Sequence, residues 1–487
     1  MRELLPRQRR YTLHSNIKFQ LSRVLLHALQ CEHSTLFFFR PIRRTLYVVF
    51  CQLGPISLNL SKQSTSERAL VYFDTYYKPV YKNLWPSIRV SLLSGQKYGA
   101  LVNNFSNCDS CNILSKLGAH DIIEKAKHVH VEEVKHQSEK PVKYEELISS
   151  IDQKQNLDLS DDLYLKESDD SESSDDEEFV NPDLAKDSDL HEFVPVERVY
   201  TEKESLLIEE SYKGVFIDND INVDVVKDEE ITLPDHLKVF TFKPGNVSDF
   251  PPPKPDPAGL LGYYMLDAAS ILPVIALDIK PNDKVLDLCA APGGKSLAIL
   301  QTLLPGSLTS NDIASSRLRR LTEILRWYCP DKENSLTITK HHGEEFNTPD
   351  YDKVLVDVPC NTDRHVLMED TENNLFSVSR DNERLLLADK QKQLLVAGIK
   401  SCKPGGSIVY STCTLSPPQN DGVIQAAIEE IWNETQIDIV IQDISCIAHK
   451  FKDTFRFYKG CRYGQLVLPS LIANFGPMYF SKIRRLK

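Results

Sequence analysis

The chain has 487 residues, enough for two or three domains and at least one large buried core. Its composition, 41% hydrophobic and 26% charged, is that of an ordinary globular protein, and no apolar run reaches the ~18 residues that a membrane-spanning helix needs. The net charge of −12 is local: residues 158–189 hold fourteen Asp and Glu against Lys166 and Lys186, leaving 55 basic and 55 acidic residues elsewhere. That neutral remainder excludes a uniformly basic nucleic-acid binder but not a basic patch. Eleven scattered cysteines exclude a disulfide-dense secreted scaffold and fit a reducing compartment.

Residues 1–66 carry only Glu3 and Glu32 as acids against ten Lys and Arg, including Arg7, Arg9, Arg10, Arg23, Arg43 and Arg44. Arg-rich and acid-poor is the pattern of a mitochondrial presequence. A membrane potential draws such a cationic segment inward with ~2.3 kcal/mol per charge per 100 mV. Residues 67–130 are expected to form a small helical extension. Within it Cys108, Cys111, His120, His128 and His130 are ligand types, but no second ligand pair stands at finger spacing, so no metal site is expected. Residues 131–234 are acidic and Ser-rich. Their run 167–178, ESDDSESSDDEE, has too little apolar surface to offset its ordering entropy, which predicts a largely disordered linker.

Residues 235–487 form the expected catalytic domain, in which a Pro-rich stretch at 251–257 leads into alternating strand and helix patterns. Strands are predicted at 285–288, 307–310, 336–339, 354–358 and 407–411, with helices at 296–304, 314–328 and 380–400. This alternation predicts an α/β, Rossmann-like fold with a mixed, mostly parallel sheet. Asp287-Leu-Cys-Ala-Ala-Pro-Gly-Gly-Lys295 lies between a predicted strand and helix, and Gly293 and Gly294 let the backbone approach a ligand closely. Asp312 follows at the spacing, ~20 residues, of an acid that holds ribose hydroxyls. Loop, helix and acid point to a nucleoside cofactor without separating S-adenosylmethionine from a nicotinamide. Asp357-Val-Pro-Cys360 and Ser411-Thr-Cys413 each end a predicted strand. In an open parallel sheet those ends face the ligand crevice, so two thiols and a carboxylate should converge there.

The set AAPGGK, DVPC followed by TDRH, and YSTC-TLS resembles the motifs of the Sun-domain (NSUN) RNA cytosine-5 methyltransferases. The resemblance runs from Tyr263 to the C-terminus and resumes in Leu84-Trp-Pro-Ser-Ile-Arg-Val-Ser-Leu-Leu-Ser94 and Lys97-Tyr-Gly-Ala-Leu-Val-Asn-Asn-Phe105, a block that looks like the mitochondrial ribosomal-RNA branch. The resemblance implies S-adenosylmethionine as cofactor. Gly293, Gly294 and Lys295 would line its amino-acid end, Asp312 its ribose, and Arg317 would support that pocket. Asp357 would touch cofactor and target base, Cys413 would be the nucleophile, and Cys360 would assist product release. DNA cytosine methyltransferases attack with the cysteine of the PC motif, which leaves a swap of roles as the internal alternative. One position departs: where the branch carries Trp-Asp-Gly, this chain has His341-His342-Gly343. Losing that acid's hydrogen bond to the adenine amine would cost about 0.5–1.5 kcal/mol and weaken cofactor binding, unless Glu344 or Glu345 substitutes.

A target cytosine must leave its stack to reach such a crevice, which favours a loop or assembly intermediate over a duplex. Arg364, His365, Arg380, Arg384, Lys482, Arg484, Arg485 and Lys487 are candidate phosphate contacts. The resemblance also implies a mitochondrial termination-factor-like helical partner and a location in the mitochondrial matrix, with small-subunit ribosomal RNA as substrate. The competing expectations are a ribosome-assembly factor that docks without chemistry and a methyltransferase acting on tRNA.

Overall fold

This computed structural model describes residues 64–129, 223, 225–227, 231–330 and 335–487. The presequence reading, apart from its last three residues, and the acidic run 158–189 fall outside the described residues. The first helix, Thr65–Tyr81, begins inside the stretch read as presequence because Ser64 and Glu67 cap it reciprocally: the Ser64 hydroxyl accepts from the Glu67 amide, and the Glu67 carboxylate accepts from the Ser64 amide. A second helix, Trp85–Leu93, opens with Pro86 in its first turn, where a missing amide costs nothing.

The extension then departs from its all-helical expectation. Strand β1 (Gly99–Val102) and the short β2 (His120–Asp121) join β4 (Val239–Thr241) and β5 (Tyr263–Leu266) in an antiparallel sheet of order β2-β4-β1-β5. Gly99-Ala-Leu-Val102 is short and wholly buried, so its backbone groups must pair with neighbours rather than water. A further short strand, β3 (Val225–Lys227), falls near the end of the stretch read as a largely disordered linker. Its three side chains are exposed, but its backbone pairs in parallel with β11 (Ile439–Asp443), an interaction that composition does not reveal.

The main sheet contains β6 (Lys284–Asp287), β7 (Ser307–Asn311), β8 (Leu336–Thr339), β9 (Tyr351–Asp357) and β10 (Cys402–Thr412), parallel in the order β8-β7-β6-β9-β10. Beyond β10 it becomes antiparallel through β14 (Met478–Arg485), which also pairs with β11 and with β13 (Gln465–Leu468), and β13 pairs with β12 (Arg456–Tyr458). The strand order reverses between β6 and β9. That switch point opens the ligand crevice at the strand carboxyl ends. The expected helix over 380–400 is two helices, Asp381–Leu385 and Leu387–Ser401, that meet at the exposed Leu386.

Side chains alternate across the sheet. Leu286, Val354, Val356, Ile408 and Tyr410 enter one apolar cluster, while Val285, Leu355 and Val409 enter the other. The first cluster is completed by helices Leu387–Ser401 and Asp421–Glu434 and by Phe73, Tyr77, Tyr81 and Trp85 of the N-terminal helices. The extension is therefore part of the catalytic core.

Several candidate phosphate contacts are corrected by burial. Arg364 is 9% exposed and donates to the carbonyls of Ser91, Ser94 and Gly476 and to Asn474 Oδ1. It is neither an RNA contact nor a solvated charge but a pin between the N-terminal helix and the loop before β14. Arg384 pairs with Asp381 and lies over the rings of Tyr72 and Phe376, and Arg380 pairs with Glu383. Arg485 donates to the carbonyls of Ile399, Lys400 and Cys402, closing the helix end there, and Lys482 is buried. Leucine at position 364 would strand buried acceptors, so urea unfolding of Arg364→Leu should show a loss on the order of 3 kcal/mol, whereas a surface arginine would change stability by less than about 0.5 kcal/mol.

Candidate active site

Four strand ends build the crevice rim. Asp287, the last residue of β6, is fully buried; its Oδ2 accepts from Ser296 Oγ at 2.6 Å, Ser296 meets Ser310 Oγ at 3.0 Å, and Oδ1 has no partner. Burial, with the Asp357 and Asp312 charges adding, pushes the Asp287 carboxyl up to about 7 against the opposing pull of Ser296 and Lys295. The loop that follows ends at Gly293, whose φ of 116° belongs to the left-handed region open to glycine. At Gly294 a Cβ would stand 3.3 Å from the Tyr264 ring. Lys295 leaves the first turn of helix Gly294–Gln301 and its Nζ lies 2.7 Å from Asp357 Oδ2 at the end of β9. Burial opposes the Lys295 charge, but Asp357 outweighs it and holds the ammonium above its ordinary range.

Asp312 follows β7 and is 3% exposed. It accepts from the amides of Ala291 at 3.3 Å and Ala314 at 2.9 Å and pairs with Arg317 at 3.3 Å; Arg317 in turn donates to the Ala291 carbonyl at 2.6 Å. Asn311 clamps this region, donating to the carbonyls of Leu288 and His341 and accepting from Thr339 and the His341 amide. His342 is exposed and opens the turn Gly343–Glu345 without capping it. Glu344 and Glu345 line a cavity of about 310 Å³ with Gln393, Lys400 and Glu430.

The two cysteine motifs meet. Ser411 of β10 stands opposite Asp357 of β9, and its hydroxyl donates to Asp357 Oδ1 at 2.7 Å. Two residues past Ser411 and three past Asp357, the Sγ atoms of Cys413 and Cys360 lie 3.3 Å apart, and the Cys413 amide donates to Cys360 Sγ at 3.3 Å. The hydrogen bond to Cys360, then burial and the Asp357 charge, push the Cys413 thiol well above its ordinary value, while Lys295 pulls the other way. Among the described residues no group of His, Cys, Asp and Glu is arranged to hold a metal ion, and no helix is long and apolar enough to cross a membrane.

The site fits a nucleoside-bearing sulfonium donor. A carboxylate offers about four acceptor positions, and Asp312 uses three of them internally, so it retains capacity for a ribose hydroxyl. Asp357 likewise accepts from Ser411 and Lys295 and keeps capacity for a further donor. Glycine at 293 lets the loop pack closely on the helix behind it, since a Cβ there would stand 2.9 Å from Leu321 Cδ1.

Fold and site together define an S-adenosylmethionine-dependent methyltransferase with a pair of cysteines in contact at the carboxyl edge of its sheet. A profile of the 16S rRNA methyltransferase RsmB/F family matches residues 274–465. The chain is 40% identical over 437 residues to the 5-cytosine rRNA methyltransferase NSUN4 of Xenopus tropicalis, covering 88% of this chain and 92% of that protein. It is 34% identical over 447 residues to the nsun-4 enzyme of Caenorhabditis elegans, covering 87% and 93%. The mitochondrial tRNA (cytosine(34)-C(5))-methyltransferase of Danio rerio is 39% identical over 235 residues, 46% of this chain and 61% of that protein. The chain belongs to the NSUN4 family of RNA cytosine-5 methyltransferases.

Several contributors escaped the sequence reading. Ser411 and Asn311 act through partners 54 and 30 residues away in sequence, Ser296 bonds across the loop to Asp287, and Asp363 carried no signal beyond its place in TDRH. Free arginines lie elsewhere than expected. Helix Ser315–Tyr328 exposes Arg319, Arg320 and Arg326 beside Trp327, which is 52% exposed, and among the described residues none of the three has an acidic partner. His365, by contrast, faces solvent and pairs with Glu369.

The raised Asp287 carboxyl has a measurable consequence. In the unfolded chain it titrates near 4, so between about pH 4 and about pH 7 the folded protein holds a proton that the unfolded chain has released. The unfolding free energy should therefore fall as pH rises through that window. Guanidinium denaturation in a pH series should show a shallower fall for Asp287→Asn; an unchanged slope would remove Asp287 as a source.

Proposed function

We propose that this chain methylates carbon 5 of a cytosine in mitochondrial small-subunit ribosomal RNA, working in the mitochondrial matrix during ribosome assembly, with Cys413 as covalent nucleophile. The reading is carried by one observation: two sulfur atoms 3.3 Å apart beside the Lys295–Asp357 pair, at the rim where the sheet reverses order. Ribosomal RNA as the substrate class is supported by the NSUN4 relatives, which are 5-cytosine rRNA methyltransferases. The location rests on the Arg-rich composition of residues 1–66 and on the name of the zebrafish relative.

Carbon 5 of cytosine is a poor nucleophile. The Cys413 thiol gives up its proton to solvent, its thiolate sulfur bonds to carbon 6, and the ring's electron pair is delivered to carbon 5. The Asp357 carboxyl beside ring nitrogen 3 steadies the charge of this adduct, and Lys295 and Ser411 fix that carboxyl's orientation. S-adenosylmethionine, when bound, supplies the electrophilic methyl, with Asp312 and Arg317 at its ribose and Gly293, Gly294 and Lys295 at its amino-acid end. A water acting as base then takes the carbon-5 proton, whose bonding pair restores the carbon 5–carbon 6 double bond and expels Cys413 as thiolate; Cys360, in contact with the leaving sulfur, assists this release.

Arg319, Arg320 and Arg326, exposed on helix Ser315–Tyr328 and without an acidic partner among the described residues, supply phosphate contacts, and a termination-factor-like helical partner supplies the rest of the RNA grip for a chain whose non-acidic remainder is neutral. The Arg319→Ala, Arg320→Ala double variant should weaken RNA binding and make the salt dependence shallower by roughly 1.5 in log–log slope, at about 0.7–0.9 per lost contact. An unchanged slope in filter binding would exclude this helix.

Trapping on 5-azacytidine RNA tests the chemistry. Cys413→Ala should form no adduct and lose methyl transfer by at least about a thousandfold, while Cys360→Ala should accumulate adduct. An adduct that survives Cys413→Ala but not Cys360→Ala would reverse the two roles. Equal tritiated methyl incorporation by wild type and Cys413→Ser would favour a docking factor.

A further inference from the structure

The residues immediately after Cys413 are gripped by side chains that the reaction scheme does not use. Asp363, three residues past Cys360, accepts from Thr414 Oγ1 at 2.8 Å, from the Leu415 amide at 2.7 Å and from Tyr77 Oη at 3.1 Å. Tyr77 Oη also lies 3.2 Å from Thr414 Oγ1, and Tyr81 of the same helix donates to the Leu415 carbonyl. Asp363, Thr414 and Leu415 are completely buried, and Tyr77 is 1% exposed. Farther along, Asn420 accepts from Thr412 Oγ1 and donates to the Thr414 carbonyl, so the turn carrying Cys413 is bonded on both sides.

The Tyr77 ring is held independently of this network. It stacks on Phe73 with centroids 4.9 Å apart and meets Trp85 edge-on at 5.7 Å. Phenylalanine would keep this packing, so the phenolic hydroxyl serves the loop and not the core. A buried hydroxyl also costs free energy unless it is bonded, and both partners of this one belong to the two cysteine loops. One carboxylate thus ties the Cys360 loop to the Cys413 loop, and one hydroxyl from the N-terminal helix ties both to the extension.

We propose that Tyr77 and Asp363 are positioning residues for Cys413, through which the N-terminal helix sets where the nucleophilic sulfur stands relative to Cys360 and the target base. The inference rests on the reading of Cys413 as nucleophile. Neither residue touches substrate or cofactor. Their effect is geometric: a displacement of ~1 Å at a reacting atom can cost up to ~10² in rate without altering binding.

The test uses the full chain with Tyr77→Phe, Thr414→Val and the double variant, read by single-turnover methyl transfer, RNA KM, S-adenosylmethionine affinity and thermal unfolding. Tyr77→Phe and Thr414→Val should each slow methyl transfer and 5-azacytidine adduct formation about tenfold, with KM and cofactor affinity within about twofold of wild type. The double variant should be hardly slower than either single one, because both act through one carboxylate. A Tyr77→Phe protein that keeps the wild-type rate, or loses rate and cofactor affinity together, overturns the proposal. If Tyr77→Phe unfolds at a markedly lower temperature, Thr414→Val carries the same test alone, and a wild-type rate there overturns it equally. Adduct formation surviving in Cys413→Ala marks failure of the nucleophile reading instead, whatever Tyr77→Phe does.

Discussion

The parallel register of β9 against β10 is the constraint from which the site follows. Ser411 stands opposite Asp357, and that pairing is locked by a side-chain hydrogen bond between the same two residues. A slip of one residue would turn every side chain of β10 to the other face and carry Cys413 away from Cys360. With the register fixed, the short segments Val-Pro-Cys360 and Thr-Cys413 leave their strands in step, and the sulfurs meet. Strand β14 on the far side of β10 covers that edge along six paired positions, so the register is held from both neighbours.

Around the sulfurs the protein concentrates carboxylates more than cations. Asp287, Asp312 and Asp357 surround the loop, and Lys295 is paired directly with only Asp357. In a buried setting such charges interact strongly, and the site resolves the repulsion by giving each acid a different partner set. Asp287, buried and short of partners, is pushed toward neutrality; Asp312 is held by two amides and an arginine; Asp357 is held by a lysine and a serine. Three carboxyl groups of one chemical type thereby stand in three different environments within one site. The cofactor's positive charge suits a crevice with this surplus of acid.

The N-terminal helices belong to the same machinery. Their aromatic residues enter the apolar cluster under β9 and β10, and Arg364 bonds to their carbonyls from the loop just beyond Cys360. Burying a guanidinium is tolerable only when most of its donors find acceptors, and here the Ser91 and Ser94 carbonyls at the end of the second N-terminal helix, the Gly476 carbonyl and Asn474 Oδ1 supply them. The short segment from Cys360 into helix Asp363–Val366 therefore carries a buried cysteine, a buried acid and a buried arginine. Its sequence neighbours Asp363 and Arg364 face opposite structural tasks, one toward the Cys413 turn and one toward the loop ahead of β14.

The sequence by itself determined what local pattern controls: the strand–glycine loop–helix unit, read at 285–304, the acid spaced after it, the alternation that makes an α/β sheet, and the placement of two cysteines at strand ends. These are short-range properties, readable because backbone conformation and side-chain period are set within a few residues. Tertiary structure alone decided which charges are spent. Arg364, Arg384 and Arg485 look like solvated cations in the sequence, and only the fold shows that carbonyls, a carboxylate and aromatic rings consume them. Strand β3 and the strands of the extension were equally hidden, since edge pairing depends on a partner backbone and leaves little mark on composition. Tyr77 lies 286 residues from Asp363, and no local signal reaches across that separation. Their meeting is a product of packing.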